Sequence, residues 1–106
     1  MDTITWERID RLRAWLDDNA GDRTETEQRL LRVLKIGEEF GEASEALHGA
    51  LAANPRKGAS HDWDDVRKEL SDVIVTAMVA LATVSDDPAK ALDDRLRHLV
   101  ERVHRN

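Results

Sequence analysis

The chain has 106 residues, of which 41% are hydrophobic and 36% charged, and its formal net charge is −6. These values fit a single folded domain, 1–106, and exclude a disordered chain. The negative charge argues against a nucleic-acid polymer as a partner, because such binding rests on neutralised phosphates.

The sequence contains no signal for secretion or for a membrane. It has no cysteine, which excludes disulfides and thiolate metal sites and favours a reducing compartment. The N-terminal residues are charged and lack the apolar segment that directs secretion. The longest uncharged run, 73–85, is too short to cross a bilayer. We therefore expect a cytoplasmic protein with no membrane partner.

Apolar residues recur at helical spacing, and no alternation typical of strands persists. The first helix is predicted from about Thr3 to Asp18, before a break that contains Gly21. Trp6 lies at the edge of its apolar side. That side is formed by Ile4, Ile9, Leu12, Trp15 and Leu16.

The second helix is predicted to begin near Thr24 or Thr26 and to reach about Leu51, since Thr24 and Glu27 fit a capping box. Gly37 and Gly41 lie beside its apolar stripe. Glycine inside a helix costs about 0.5–1 kcal/mol relative to alanine, so we expect another backbone or a ligand to come close there. The predicted core stripe is Val33, Ile36, Phe40, Ala43, Leu47 and Leu51.

A basic loop, about 53–62, precedes the third helix, which is predicted from Trp63 to about Val84 with Ser60 or Asp62 as its cap. Residues 73–84 carry no charge on any side, which is typical of a buried helix. Three short neighbours cannot cover such a helix completely, so we expect another subunit to do so.

The fourth helix is predicted to have Asp87 as N-cap and Pro88 at its first position. Arginines occupy its other faces. Its predicted core stripe is Ala89, Leu92, Leu96, Leu99 and Val103. The four segments together predict an all-α fold that resembles a four-helix bundle.

Two acidic motifs lie on the second and third helices. Glu38, Glu39 and Glu42 form E-E-x-x-E, and Glu69 and Asp72 form E-x-x-D. Residues three apart share a helix face, so the motifs can converge if the two helices pack together. Carboxylate oxygens at this density suit a hard divalent cation, Mg²⁺ or Mn²⁺.

A solvated acidic surface is the alternative interpretation. It fits Glu69 and Asp72 less well, because the residues after them are apolar and a buried carboxylate needs a partner or a metal. Arg67 and Lys68 could supply such partners.

The stretches KIGEEFGEASEAL, 35–47, and ELSDVIVTAMVALA, 69–82, resemble the MazG-like all-α nucleoside triphosphate pyrophosphohydrolases. This group includes dCTP pyrophosphatases and dimeric dUTPases, and its pattern is E-E-x-x-E, a spacer, then E-x-x-D. The resemblance is strongest over about 30–81. It implies an all-α NTP pyrophosphatase fold that forms homodimers or homotetramers. It also implies Mg²⁺-dependent hydrolysis of a nucleoside triphosphate to the monophosphate and pyrophosphate, as nucleotide-pool house-cleaning.

The resemblance also assigns roles within the two motifs. By position, Glu39, Glu42, Glu69 and Asp72 would be the metal ligands. Glu38 would be the catalytic candidate, the extra glutamate that could orient the water or hold a second metal.

The phosphate contacts transfer less directly. Several relatives have a Lys and an Asn on the last helix, where this chain has Asp94 and His98. Arg95 and Arg102 on that helix, or Arg56 and Lys57 in the basic loop, would then contact the phosphates.

Related enzymes stack the base on aromatic side chains. Trp6 and Trp63 lie at helix starts and are the predicted base contacts, whereas Phe40 and Trp15 lie on core stripes and are predicted to pack inside. Two alternatives stay open: a non-catalytic helical dimerisation or interaction module, and a regulatory nucleotide binder without turnover.

Overall fold

The computed structural model describes residues 2–105. They form four α-helices: α1 Thr3–Asp18, α2 Glu25–Ala50, α3 Trp63–Val84 and α4 Pro88–Val103. No strand occurs among these residues, so the all-α prediction and the predicted helix bounds are confirmed. In the same part of the chain, no helix is both long and apolar enough to cross a membrane.

Local capping fixes the helix starts. Thr24 and Glu27 form the predicted capping box, with two reciprocal hydrogen bonds of 3.1 Å. Asp62, rather than Ser60, caps α3 and forms a second box with Asp65. Asp87 accepts a hydrogen bond from the Lys90 backbone and so caps α4 as predicted. Each cap satisfies backbone N–H groups that have no partner inside the helix.

α2 and α3 form an antiparallel hairpin. Arg32 near the start of α2 donates a hydrogen bond to Thr83 near the end of α3, at 3.1 Å. At the other end, Gly49 lies against His61, just before α3 begins. The α2 face toward α3 carries small buried residues, Ala43 and Ala46, which let the two helices approach closely.

α1 packs on another side of α3. Ile9 forms a small buried cluster with Met78 and Val79, and Trp6 packs against that cluster. The half-buried Trp6 side chain therefore contributes to the core, and its predicted role in base binding stays a prediction.

The predicted core stripe of α2 is mostly wrong for the single chain. Ala43 is buried, but Val33, Phe40, Leu47 and Leu51 are 38–60% exposed. The face that contacts α3 is rotated, because α3 packs on the small residues Ala43 and Ala46 and not on the large ones.

The prediction that α3 is buried on all sides is only half correct. Val66, Met78, Val79 and Ala80 are buried. Five of its other large residues remain 37–57% exposed because the described helices leave parts of its surface uncovered: Leu70, Ile74, Val75, Val84 and Trp63.

α4 has no buried residue, which contradicts its predicted role in the core. Leu92 and Leu99 are half-buried, but Leu96 and Val103 are 56% and 72% exposed. α4 extends from the end of α3, and the described chain measures 50 × 47 × 24 Å with a radius of gyration of 16.9 Å. A compact domain of this length would have a radius of gyration of about 13 Å.

Candidate metal centre and adjoining cleft

Three carboxylates meet between α2 and α3. Glu39, Glu69 and Asp72 each offer an oxygen, and these oxygens lie within 4.8 Å of one another. The Glu39 and Glu69 side chains are 15% and 19% exposed, and Asp72 is 46% exposed. The two acidic motifs therefore do converge, with the closest approach between one glutamate of α2 and the pair on α3.

Helix geometry explains this convergence. Glu39 precedes the buried Ala43 by one turn, so it lies on the α2 face that contacts α3. Glu69 and Asp72 are three residues apart and share a face of α3 in the same way. The carboxylates meet because the small side chain of Ala43 allows the helices to pack closely just beyond them.

Two lysines partly neutralise this acidic cluster. The Lys68 amine lies 3.4 Å from Glu69 and 3.9 Å from Asp72, as one of the predicted partners. The Lys35 amine lies 3.0 Å from Glu38 and 3.8 Å from Glu39. The nearby carboxylates raise the pKa values of both lysines, so both amines stay protonated at neutral pH.

Arg67, the other predicted partner, does not join the cluster. It pairs with Asp64 at 2.5 Å on the exposed side of the first turn of α3. Lys68 is therefore the cation that α3 itself supplies to Glu69 and Asp72.

One oxygen of the cluster lacks a partner. Glu69 Oε2 is buried and accepts no hydrogen bond from the described residues, whereas Oε1 of the same carboxylate faces Lys68. A buried carboxylate oxygen without a donor is costly, and a cation or a water would satisfy it. The donor set fits Mg²⁺ or Mn²⁺, which bind carboxylate oxygens.

Glu42 and Glu38 lie at the margin of the cluster. The carboxylate of Glu39, partial desolvation and the carboxylate of Glu69 raise the pKa of Glu42, so Glu42 senses the same negative potential. It is exposed, and its oxygens are not within the 4.8 Å group. Glu38 is 61% exposed and pairs with Lys35. The predicted ligand role of Glu42 and the catalytic role of Glu38 stay predictions.

An apolar cleft of about 530 Å³ adjoins the cluster between α1, α2 and α3. Its walls include Trp15, which is 63% exposed, together with Leu12 and Leu31. Lys35 and Thr76 also line it, and they connect it to the acidic residues one turn away on each helix. Arg23 adds a further cation at the rim.

Trp15 is a residue for which the predicted place in the core is wrong. The α1 stripe predicts it in the core, but it lines the cleft, while Trp6 packs against the core cluster. Phe40 is likewise 57% exposed and not buried. The stripe of α1 gave no signal for this difference, because helical spacing alone does not show which part of an apolar side meets another helix.

The predicted phosphate contacts lie elsewhere. Lys57 lines a separate groove of about 260 Å³ with Glu45, His48 and the loop. Arg56 is exposed, and its backbone N–H donates to Asn54. Arg95 is exposed on α4, and Trp63 is 51% exposed at the start of α3. Neither the acidic cluster nor the apolar cleft includes any of these four residues.

Comparison of the chain with protein-family models, curated proteins and solved structures finds no match. The resemblance to MazG-like enzymes therefore depends on the two motifs and on their helical placement, and membership of that family stays a prediction.

Proposed function

We propose that the chain is a Mg²⁺-dependent nucleoside triphosphate pyrophosphohydrolase that releases pyrophosphate and a nucleoside monophosphate. The convergence of Glu39, Glu69 and Asp72 beside an apolar cleft is the observation that carries this proposal. The carboxylates suit a hard cation, the cleft suits a nucleobase, and the cations at its rim suit phosphates. Mn²⁺ would bind the same oxygens.

The carboxylates would have two separate roles, ion binding and proton transfer. Glu39, Glu69 and Asp72 would hold the ion, which supplies Lewis acidity toward phosphate oxygens and lowers the pKa of water. Glu42, whose pKa is raised, and Glu38 are exposed carboxylates at the margin of the cluster, and one of them would accept a proton from the attacking water.

The cleft would position the nucleotide. Trp15 offers an exposed aromatic face for stacking, and its apolar neighbours exclude water from the base. Lys35 and Arg23 at the rim would neutralise phosphate charge, with Lys35 exchanging its carboxylate partners for the substrate. The protein would act as a homodimer or homotetramer in the cytoplasm, a location that its lack of cysteine favours.

Pyrophosphate release from canonical and modified (d)NTPs, measured with and without Mg²⁺, tests the proposal. Glu69→Gln removes the ligand charge with little change of shape and should abolish release. Glu45→Gln is the matched control, because Glu45 is an exposed glutamate of α2 outside the cluster. Wild type no more active than Glu69→Gln on every nucleotide would refute the enzyme assignment.

A second function, a non-catalytic helical interaction module, is favoured by the large exposed apolar residues of α2 and α3. Lys35 and Lys68 would then be sufficient partners for the carboxylates. Mg²⁺ binding that is absent, or unchanged by Glu69→Gln, supports the module. Tight nucleotide binding without pyrophosphate release would instead indicate a regulatory nucleotide binder.

A further inference from the structure

We propose that Arg32 is a positioning residue for the apolar cleft. Through its ion pair with Asp17, it holds the second half of α1 in place as one wall of that cleft. The consequence for KM rests on the proposed function and deepens it. The position of the wall itself can be measured without nucleotide, metal or catalysis.

The second half of α1 forms a wall of the cleft but has little apolar packing of its own. Ile9, in the first half, is the buried residue of this helix, and with Trp6 it packs on α3. The residues of the second half that line the cleft are 38–63% exposed: Leu12, Trp15 and Leu16. Apolar contacts therefore fix the beginning of α1, and its other end needs a separate attachment.

The Asp17–Arg32 ion pair supplies that attachment. The guanidinium of Arg32 on α2 lies 2.6 Å from the carboxylate of Asp17, near the end of α1. The two side chains are 11% and 37% exposed, so water and salt weaken this pair less than a pair at the open surface. Asp17 follows Trp15 by two residues, so the pair fixes the part of α1 that carries the exposed indole.

Arg32 is itself held in one orientation by the hairpin. Its guanidinium donates to the hydroxyl of Thr83 on α3 at 3.1 Å and to the side-chain oxygen of Gln28, one turn earlier on α2, at 3.3 Å. A planar guanidinium with several partners loses little freedom when it binds one more carboxylate. The hairpin therefore determines where Asp17, and with it the end of α1, can lie.

Arg32 also separates two cavities. Arg32 and Gln28 line both the apolar cleft of about 530 Å³ and a polar groove of about 420 Å³, whose walls include Asp17 and Asp86. Movement of α1 away from Arg32 would join the groove to the cleft and admit water. A cleft open to water on this side would bury less of an apolar ring, and so would bind that ring more weakly.

The position of α1 should determine nucleotide affinity. Trp15 can enclose a base only while its wall faces Leu31 on α2 across the cleft. A protein with a partly populated binding-competent state has an affinity reduced by that fraction, so a tenth of the chains with α1 in place would raise KM about tenfold. The value of kcat should change little, because neither Arg32 nor Asp17 belongs to the acidic cluster.

Asp17→Ala and Thr83→Val separate positioning from stability. Each removes one partner of the same guanidinium, but only Asp17→Ala detaches α1, and Arg13 then keeps Asp10 at 2.8 Å. Both variants should lower the free energy of unfolding. Only Asp17→Ala should raise KM, about tenfold, with kcat within about twofold of wild type.

Spin labels measure the wall directly. The chain has no cysteine, so Asp18→Cys at the end of α1 and Leu34→Cys on α2 can carry two labels, and both positions are exposed. Double electron–electron resonance is recorded without nucleotide or metal, on labelled chain diluted with unlabelled chain. We expect one narrow distance distribution for the otherwise native chain and for Thr83→Val, and a broader, longer one for Asp17→Ala. Arg32→Lys should be intermediate, because a single amine has fewer donors.

Two results would overturn the inference. One is an identical distance distribution for Asp17→Ala and the otherwise native labelled chain, whatever the activity. The other is an equal rise of KM in Asp17→Ala and Thr83→Val, which would reflect lost stability alone. A wild type that releases no pyrophosphate would refute the proposed function instead, and the distance measurement would still decide whether Arg32 positions α1.

Discussion

The Arg32 guanidinium lies 2.6 Å from the carboxylate of Asp17 and so connects α2 to α1. It also donates to Thr83 of α3, at 3.1 Å, and its side chain is only 11% exposed. One nearly buried cation thus joins three helices of the chain, and Arg13 completes the charge balance of Asp17.

Arg32→Ala should lower the free energy of unfolding by about 1–3 kcal/mol, because it leaves Asp17 and Thr83 short of a donor. Arg32→Lys should recover only part of this, since a single amine cannot reproduce the geometry of the guanidinium. Urea unfolding at one fixed protein concentration measures the effect. Arg29→Ala, which breaks an exposed pair with Glu25, should cost less than about 0.5 kcal/mol. Equal losses in both variants would contradict the central role of Arg32.

Mg²⁺ should raise the melting temperature of the wild type, because the proposed site exists only in the folded chain. Glu69→Gln should weaken Mg²⁺ binding at least tenfold in isothermal titration. Asp64→Asn provides the control, since Asp64 lies on the same helix, is 88% exposed and is outside the cluster. Identical Mg²⁺ affinities for the two variants would place the ion elsewhere.

Lys68→Ala distinguishes a cluster that binds a metal from one whose negative charge is neutralised by Lys68. Removal of an amine 3.4 Å from Glu69 should tighten Mg²⁺ binding several-fold, because cation–cation repulsion disappears. It should also destabilise the metal-free chain. If Lys68→Ala only destabilises the protein and leaves Mg²⁺ affinity unchanged, the carboxylates form ion pairs with the lysine and do not bind a metal.

Trp15→Ala and Trp6→Ala should have different effects. Trp15 is 63% exposed in the cleft, so its loss should raise KM about tenfold, as expected for a stacking contact, and leave stability nearly unchanged. Trp6 packs on Ile9, Met78 and Val79, and its loss should cost about 2–3 kcal/mol. Steady-state kinetics and urea unfolding separate the two; a stability loss at Trp15 with no change in KM would argue against the cleft as the base site.

The cap of α3 should make the free energy of unfolding depend on pH in the acidic range. The backbone N–H of Asp65 donates to Asp62 and lowers the pKa of Asp62 from its ordinary value of 3.8. The folded pKa is below the unfolded one, so ionised Asp62 stabilises the fold above about pH 4 and this contribution is lost as pH falls through the folded pKa. Asp62→Asn retains a capping oxygen but cannot ionise. As pH decreases below about 4, the free energy of unfolding of Asp62→Asn should fall less steeply than that of wild type or Asp64→Asn.

The helix limits could be predicted because they depend on neighbouring residues. Thr24 with Glu27, Asp62 with Asp65, and Asp87 before Pro88 all act within one turn, so the sequence contains their whole cause. The pairing of E-E-x-x-E with E-x-x-D could likewise be foreseen, because it needs only helical spacing and two packed helices.

The choice of packing face could not be predicted. α2 has large residues such as Phe40 on one face and small ones such as Ala43 on another, and either can meet a helix. Which face meets α3 depends on how closely the axes approach and on what covers the remaining face. For the same reason Trp6 packs against the core cluster while Trp15 lines the cleft, although both lie on or beside one apolar side of α1.

Salt should affect the charged and the apolar contacts of the α2–α3 hairpin in opposite directions. The Lys68 amine and the Asp72 carboxylate are substantially exposed, so ions screen their interaction, and rising ionic strength weakens it. Phe40 and Ile74 are exposed apolar residues of the same two helices, and excluded salts such as sulfate strengthen apolar contacts. A titration with sulfate should therefore weaken the ion pairs of the acidic cluster while it strengthens any apolar contact that Phe40 and Ile74 make.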